Sequence, residues 1–177
     1  MASASEPPER HTYRACPKLF DRMVRIAGSR MPTKLPAEDH VVRYVRKRQL
    51  RRDSDGNVLG VLPEAFNRRE GEEYLSSAWL EHFSSDYETG LRAAAAAIGQ
   101  QLEVKSRDGF TVGNVGKTVE MCEKFEVKVR LLHEGKPENT GYCAIRGIPR
   151  DHIELFEMLA ADVFTDTRIA ATIPLAG

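Results

Sequence analysis

The sequence predicts an α+β domain: an antiparallel sheet, made of an N-terminal hairpin and a C-terminal three-stranded meander, with helices packed on one face. Three observations lead there. Residues 40–62 hold two β-branched runs around a cluster of turn formers, apolar residues between 70 and 102 recur at helical spacing, and after Asp108 and Gly109 the apolar period shortens from about 3.6 to 2. The 177 residues suffice for one substantial core and are too few for two comfortable domains. With 41% hydrophobic and 29% charged residues, the composition excludes wholesale disorder.

The elements follow in chain order. Residues 1–16 open with MASASEPPER, which cannot bury enough apolar surface to offset chain entropy, so a disordered N-terminus is expected. Residues 17–39 are expected to form an amphipathic helix and a linker. Leu19, Phe20, Met23, Val24 and Ala27 share one helical face, Lys18, Asp21, Arg22 and Arg25 lie on the other, Gly28 stops it, and Pro32 and Pro36 mark the linker. The main domain then spans residues 40–165. Its first strand starts at HVVRYVR and continues through KRQLRR; residues 53–57 (DSDGN) turn the chain, and VLGVL returns as the second strand.

Leu75, Ala78, Trp79 and Phe83 have the spacing of a helical face, which predicts a helix anchored by the single tryptophan. Ser85 and Glu88 have capping-box spacing and introduce a second helix through Gln101, striped by Leu91, Ala95, Ile98 and Leu102; the run of five alanines in it permits close approach by a neighbour. Residues 110–122 read as a strand interrupted by Gly113 and Gly116. Phe125, Val127, Val129, Leu131 and His133 alternate along the next strand, and YCAIRG returns after a loop at 134–141. Asp151 and Glu154 cap a final helix that buries Ile153, Phe156, Leu159, Ala160 and Val163. Residues 166–177 form a tail that adds an edge strand or stays loose.

Charge gives the functional lead. The first 52 residues carry thirteen Lys or Arg against five Asp or Glu, and the rest thirteen against twenty-one, so a net charge of zero hides a basic front and an acidic remainder. Arg43, Arg46, Lys47, Arg48, Arg51 and Arg52 concentrate the positive charge on the first hairpin. Such a cluster keeps an exposed edge soluble, meets an acidic protein surface, or binds phosphates. The expected function is a non-catalytic accessory subunit that contacts another macromolecule through this hairpin and the N-terminal helix around Phe20 and Met23. A protein is the expected partner. Nucleic acid or a phosphate ligand is an alternative, although a pI of about 7.0 and a single aromatic in the cluster, Tyr44, argue against extended nucleic acid.

A second alternative is a small enzyme. If the loop at 134–141 closes symmetrically, His133 faces Cys143 across two strands, and an imidazole beside a thiol is a nucleophilic pair or half of a metal site; Cys122, Glu134 and Asn139 are possible neighbours. Glu72, Glu73 and Glu81 near His82, or His40 with Tyr44 and a later glutamate, offer residue types for acid-base or ADP-ribosyl-transfer-like chemistry but no spacing that requires it. The DSDGN turn lacks the acidic first position and the closing glutamate of a calcium loop. Gly116, Lys117 and Thr118 end like a phosphate loop, but Thr111 stands where its opening glycine belongs, and strand is expected to follow. No cofactor or metal is therefore expected. Three widely spaced cysteines, no apolar run of membrane-spanning length and a polar first ten residues predict a reduced, cytoplasmic protein without a membrane partner. Nothing in the sequence sets its oligomeric state.

Overall fold

The computed structural model describes residues 31–68 and 70–173. The expected helix around Phe20 and Met23, and Cys16, lie outside the described residues. The strands are β1 (Thr33–Lys34), β2 (His40–Val45), β3 (Leu50–Arg52), β4 (Val58–Val61), β5 (Tyr74–Trp79), β6 (Gly109–Asn114), β7 (Arg130–His133), β8 (Tyr142–Arg146) and β9 (Asp166–Ile169). The helices are α1 (Leu80–Phe83), α2 (Tyr87–Gln101), α3 (Val115–Lys124) and α4 (Ile153–Met158), the last running on as a π turn over Leu159–Val163. The fold is α+β: seven strands form one antiparallel sheet in the order β1-β7-β8-β5-β2-β6-β9, and β3 pairs with β4 in a separate ribbon.

The sheet is covered on two faces, where one was expected. Val41 and Val45 point into a core with Leu75, Leu131, Cys143 and Ile145, closed by Val115, Met121 and Cys122 of α3, Leu155 and Phe156 of α4, and Phe66. Val42, Ala78, Phe110 and Val112 point the other way, against Leu91, Ala94, Ala95 and Ile98 of α2. The cause is local: β2 carries valine at adjacent positions 41 and 42, each fully buried, and only a strand covered on both sides can bury neighbours in its sequence. The small alanines of α2 let the helix lie close to the strands, as their lack of bulk implied.

Four expectations are corrected. The segment around Trp79 is not a helix but the central strand β5, paired with β2 and β8. The spacing of Leu75, Ala78 and Trp79 also suits a strand covered on both sides, and tertiary pairing overrides the weak helical pattern. The strand expected over 110–122 stops at Asn114. The Asn114 carboxamide accepts the Lys117 amide and starts α3, so Gly116, Lys117 and Thr118 are helical; against a phosphate loop stand Thr111 and the strand pairing of residues 111–114, which leaves no loop before the helix. The meander loses its first strand: β6 lies between β2 and β9, three strands from β8, because it pairs along its whole length with β2. The caps also shift, to Asp86 for α2 and His152 for α4, leaving Ile153 exposed instead of buried.

Of the early hairpin expected in the sheet only the end near its turn is present, as the separate β3–β4 ribbon, while β2 belongs to the main sheet; the turn is tied by the Asp53 carboxylate accepting from Asp55 N, Asn57 N and Asn57 Nδ2. The tail supplies β9, an edge strand on β6. Among the described residues no helix is long and apolar enough to cross a membrane.

Candidate functional site

Strands β2 and β5 begin side by side and then part. They pair only at Val41 with Trp79 and Val42 with Ala78; from there Arg43, Tyr44 and Val45 follow β6, while residues 74–77 follow β8. Arg43 holds the fork open. Its Nη1 donates to the Ser76 carbonyl and its Nη2 to the Ala65 carbonyl, each at 2.8 Å, so a side chain takes the place of ladder hydrogen bonds. The guanidinium lies 5.9 Å from the Phe66 ring centroid, and burial pulls its pKa down to about 10, which leaves it charged at neutral pH. Its Nε is buried without an acceptor.

A cleft of about 750 Å³ occupies the fork. Tyr44, Leu75, Ser76 and Ser77 supply strand walls, and Ile98 with Leu102, at the end of α2, supplies an apolar side. One rim is the 3-10 turn Lys47–Gln49, which interrupts the long strand expected through KRQLRR. Asp108 fixes that turn by accepting from Lys47 N at 2.9 Å, Tyr44 OH at 2.8 Å and Lys105 N at 3.0 Å. Burial pushes the Asp108 carboxyl upward, but these donors outweigh it and hold it below the usual carboxylate range. Burial and the Asp108 carboxylate together push the Tyr44 hydroxyl up to about 12.

The pinned turn presents Arg46, Lys47 and Arg48, all exposed, along the cleft, with Lys105 nearby. Among the described residues none of the three rim side chains is ion-paired with a carboxylate. Glu72 and Glu103 also line the cleft.

Asn139 is among the residues that line the cleft. Its backbone is locked in a turn, exchanging N–H to O bonds with Lys136 and accepting from Tyr142 N. Its side chain is 2% exposed, and neither its Nδ2 donor nor its Oδ1 acceptor has a partner. An unpaired buried amide costs about 1–3 kcal/mol. Beside it, Tyr142 OH and Ser76 Oγ are 3.0 Å apart, and the Lys136 ammonium sits 3.4 Å from the Tyr142 ring centroid.

The structure therefore divides the basic cluster read from the sequence. Arg43 is an interior prop, Arg46, Lys47 and Arg48 form a rim, and Arg51 and Arg52 belong to the separate β3–β4 ribbon, where Arg52 donates to the carbonyls of Gly56 and Arg107. Sequence reasoning placed Asn139 only as a neighbour of other groups. Its loop of turn formers gave no sign that the amide would be buried unpaired.

His133 and Cys143 do stand opposite each other, in the register that symmetric closure of their loop implied. The His133 Nε2 is 2.7 Å from the Thr140 carbonyl, and its ring packs against Trp79 and His82 at centroid distances of 5.3 and 5.1 Å. Burial pushes the Cys143 thiol up to about 12, and its Sγ donates to the Gly141 carbonyl; burial pushes Cys122 equally far. A thiol in that range carries a negligible thiolate fraction at neutral pH. In peptide-mapped maleimide labelling at neutral pH, Cys122 and Cys143 are expected to stay unmodified in the folded protein and to react in urea. Rapid modification of folded Cys143, slowed by His133→Ala, would contradict this.

Glu81 engages His40, at 2.7 Å from Nδ1, rather than His82. Among the described residues no three His, Cys, Asp or Glu side chains converge as a metal-ion set. Comparison of the chain with protein-family models, curated proteins and solved structures found no match.

Proposed function

We propose that the protein is a non-catalytic, cytoplasmic binding subunit that takes a phosphate-bearing ligand in the cleft where β2 and β5 part. One observation carries this reading: Arg46, Lys47 and Arg48 stand in a row on a rim fixed by Asp108, without carboxylate partners among the described residues, over a cavity in the size range of small-ligand sites. The pinned turn fixes where the three cationic side chains start, and charge-assisted bonds to phosphate are among the stronger hydrogen bonds.

Calorimetric titration with inorganic pyrophosphate tests it. Binding is expected at low salt, weakening as salt rises, and falling at least tenfold in Arg48→Glu with the melting temperature unchanged. Absence of binding to the parent protein, or equal binding by the variant, would overturn the reading.

A second reading is favoured by Arg51, a further exposed cation on the β3–β4 ribbon that does not line the cleft. In that reading the rim, the ribbon and the N-terminal segment around Phe20 and Met23 contact an acidic protein partner or nucleic acid. Arg51→Glu separates the two readings, because it would weaken macromolecular capture while leaving pyrophosphate binding intact.

A further inference from the structure

We infer that the ligand of the cleft carries at least two linked phosphates, held jointly by two cationic turns: the rim of Arg46, Lys47 and Arg48, and a second turn that presents Lys105. The inference rests on the anion-binding reading and adds to it a further binding residue and the class of ligand that needs both turns.

Lys105 lies in the short segment between α2 and β6 and is exposed on the cleft. Its turn is closed in both directions: Asp108 N donates to the Lys105 carbonyl at 2.9 Å, and Lys105 N donates to Asp108 Oδ2 at 3.0 Å. It is also tied from outside, because Ala170 N and Ala171 N, which follow β9, donate to the carbonyls of Asp108 and Ser106. The rim has anchors of its own. Gln49 Oε1 accepts from Arg46 N, Gln49 Nε2 donates to the Glu64 carbonyl, and the Gln49 carbonyl accepts from Leu62 N.

One carboxylate joins the two turns. Asp108 Oδ1 accepts from Lys47 N while Oδ2 accepts from Lys105 N, so the two lysine backbones are fixed one carboxylate apart at the wall of the same cleft. That carboxylate is occupied by the two amides and the Tyr44 hydroxyl, and it forms no ion pair with either ammonium. Arg46, Lys47, Arg48 and Lys105 therefore line one cleft as exposed cations without ion pairs among the described residues. Their charge exceeds what a single phosphate neutralises. Glu72 and Glu103 line the same cleft and repel an anion there, so a ligand that meets only one turn is opposed. Linked phosphates place charge at more than one point, and each point gains its own charge-assisted bonds.

Calorimetric titration of the full chain with orthophosphate, pyrophosphate and methyl diphosphate tests this. Pyrophosphate is expected to bind at least tenfold more tightly than orthophosphate. Lys105→Gln is expected to remove most of that advantage while weakening orthophosphate by no more than about threefold. Arg107→Gln is the control, since Arg107 is an exposed cation two residues on that does not line the cleft, and it is expected to change neither affinity. If pyrophosphate binds no more tightly than orthophosphate, or keeps its advantage in Lys105→Gln, the joint grip is wrong and the anion site on the rim stands. Equal losses in Lys105→Gln and Arg107→Gln would also overturn the grip, because they would trace the effect to overall charge. If neither anion binds, both readings fail. Methyl diphosphate identifies the source of the paired phosphates: affinity matching pyrophosphate supports an esterified diphosphate, and a tenfold loss supports the free inorganic ion.

Discussion

Gly147→Ala is expected to destabilise the protein by about 3 kcal/mol or more in urea titration. Gly147 follows β8 with a φ of +91°, a region where an L-residue is strained. A Cβ there would overlap the Lys128 carbonyl oxygen and lie 3.4 Å from the Val129 Cα. Those are backbone atoms of the segment entering β7, so relief requires moving a strand and not merely turning a side chain. Gly56→Ala is the control. Its φ is +85°, but nothing lies within 4 Å of the added methyl, so it isolates the conformational cost at about 1 kcal/mol. Equal losses in the two variants would show that the Lys128 contact is absent in solution.

Arg43→Ala is expected to cost about 3 kcal/mol, measured the same way at neutral pH. The loss strands the buried Ala65 carbonyl, an unmet acceptor costing about 1–3 kcal/mol, removes a part-buried bond to the Ser76 carbonyl, and leaves a cavity beside Phe66. Removing a desolvated charge offsets part of this. Arg43→Lys keeps the charge but not the two-pronged reach, and is expected to recover about half. A variant as stable as the parent would mean that the parting of β2 and β5 does not depend on this side chain.

The sequence carried the antiparallel α+β class, the 53–57 turn and the β7–β8 hairpin with the His133 to Cys143 register, but it ran the strands too long: β2 stops at Val45, and β7 starts at Arg130 because Phe125 still caps α3. It failed where a pattern has two readings. Leu75, Ala78 and Trp79 fit a helix face, yet in β5 the leucine and tryptophan serve one core and the alanine the other. Asn114 reads as strand in the sequence because a capping asparagine and a strand asparagine look alike until the next residues are seen to pack as Val115, Thr118 and Cys122 do.

For the site, the sequence supplied the charges but not their separation. Six basic residues within ten positions look like one patch, and only the buried position of Arg43 and the turn pinned by Asp108 divide them into a prop, a rim and a ribbon. Asn139 had no legible signal, since what singles it out is the absence of partners in three dimensions.

The most direct test of a ligand cleft at this fork is amide chemical-shift mapping of the labelled protein during titration with pyrophosphate. Perturbations are expected to concentrate on Lys47, Arg48, Gln49, Ser76, Ser77 and Glu103, and to saturate together. Shifts confined to the β3–β4 ribbon, or scattered without saturation, would contradict a ligand site between β2 and β5.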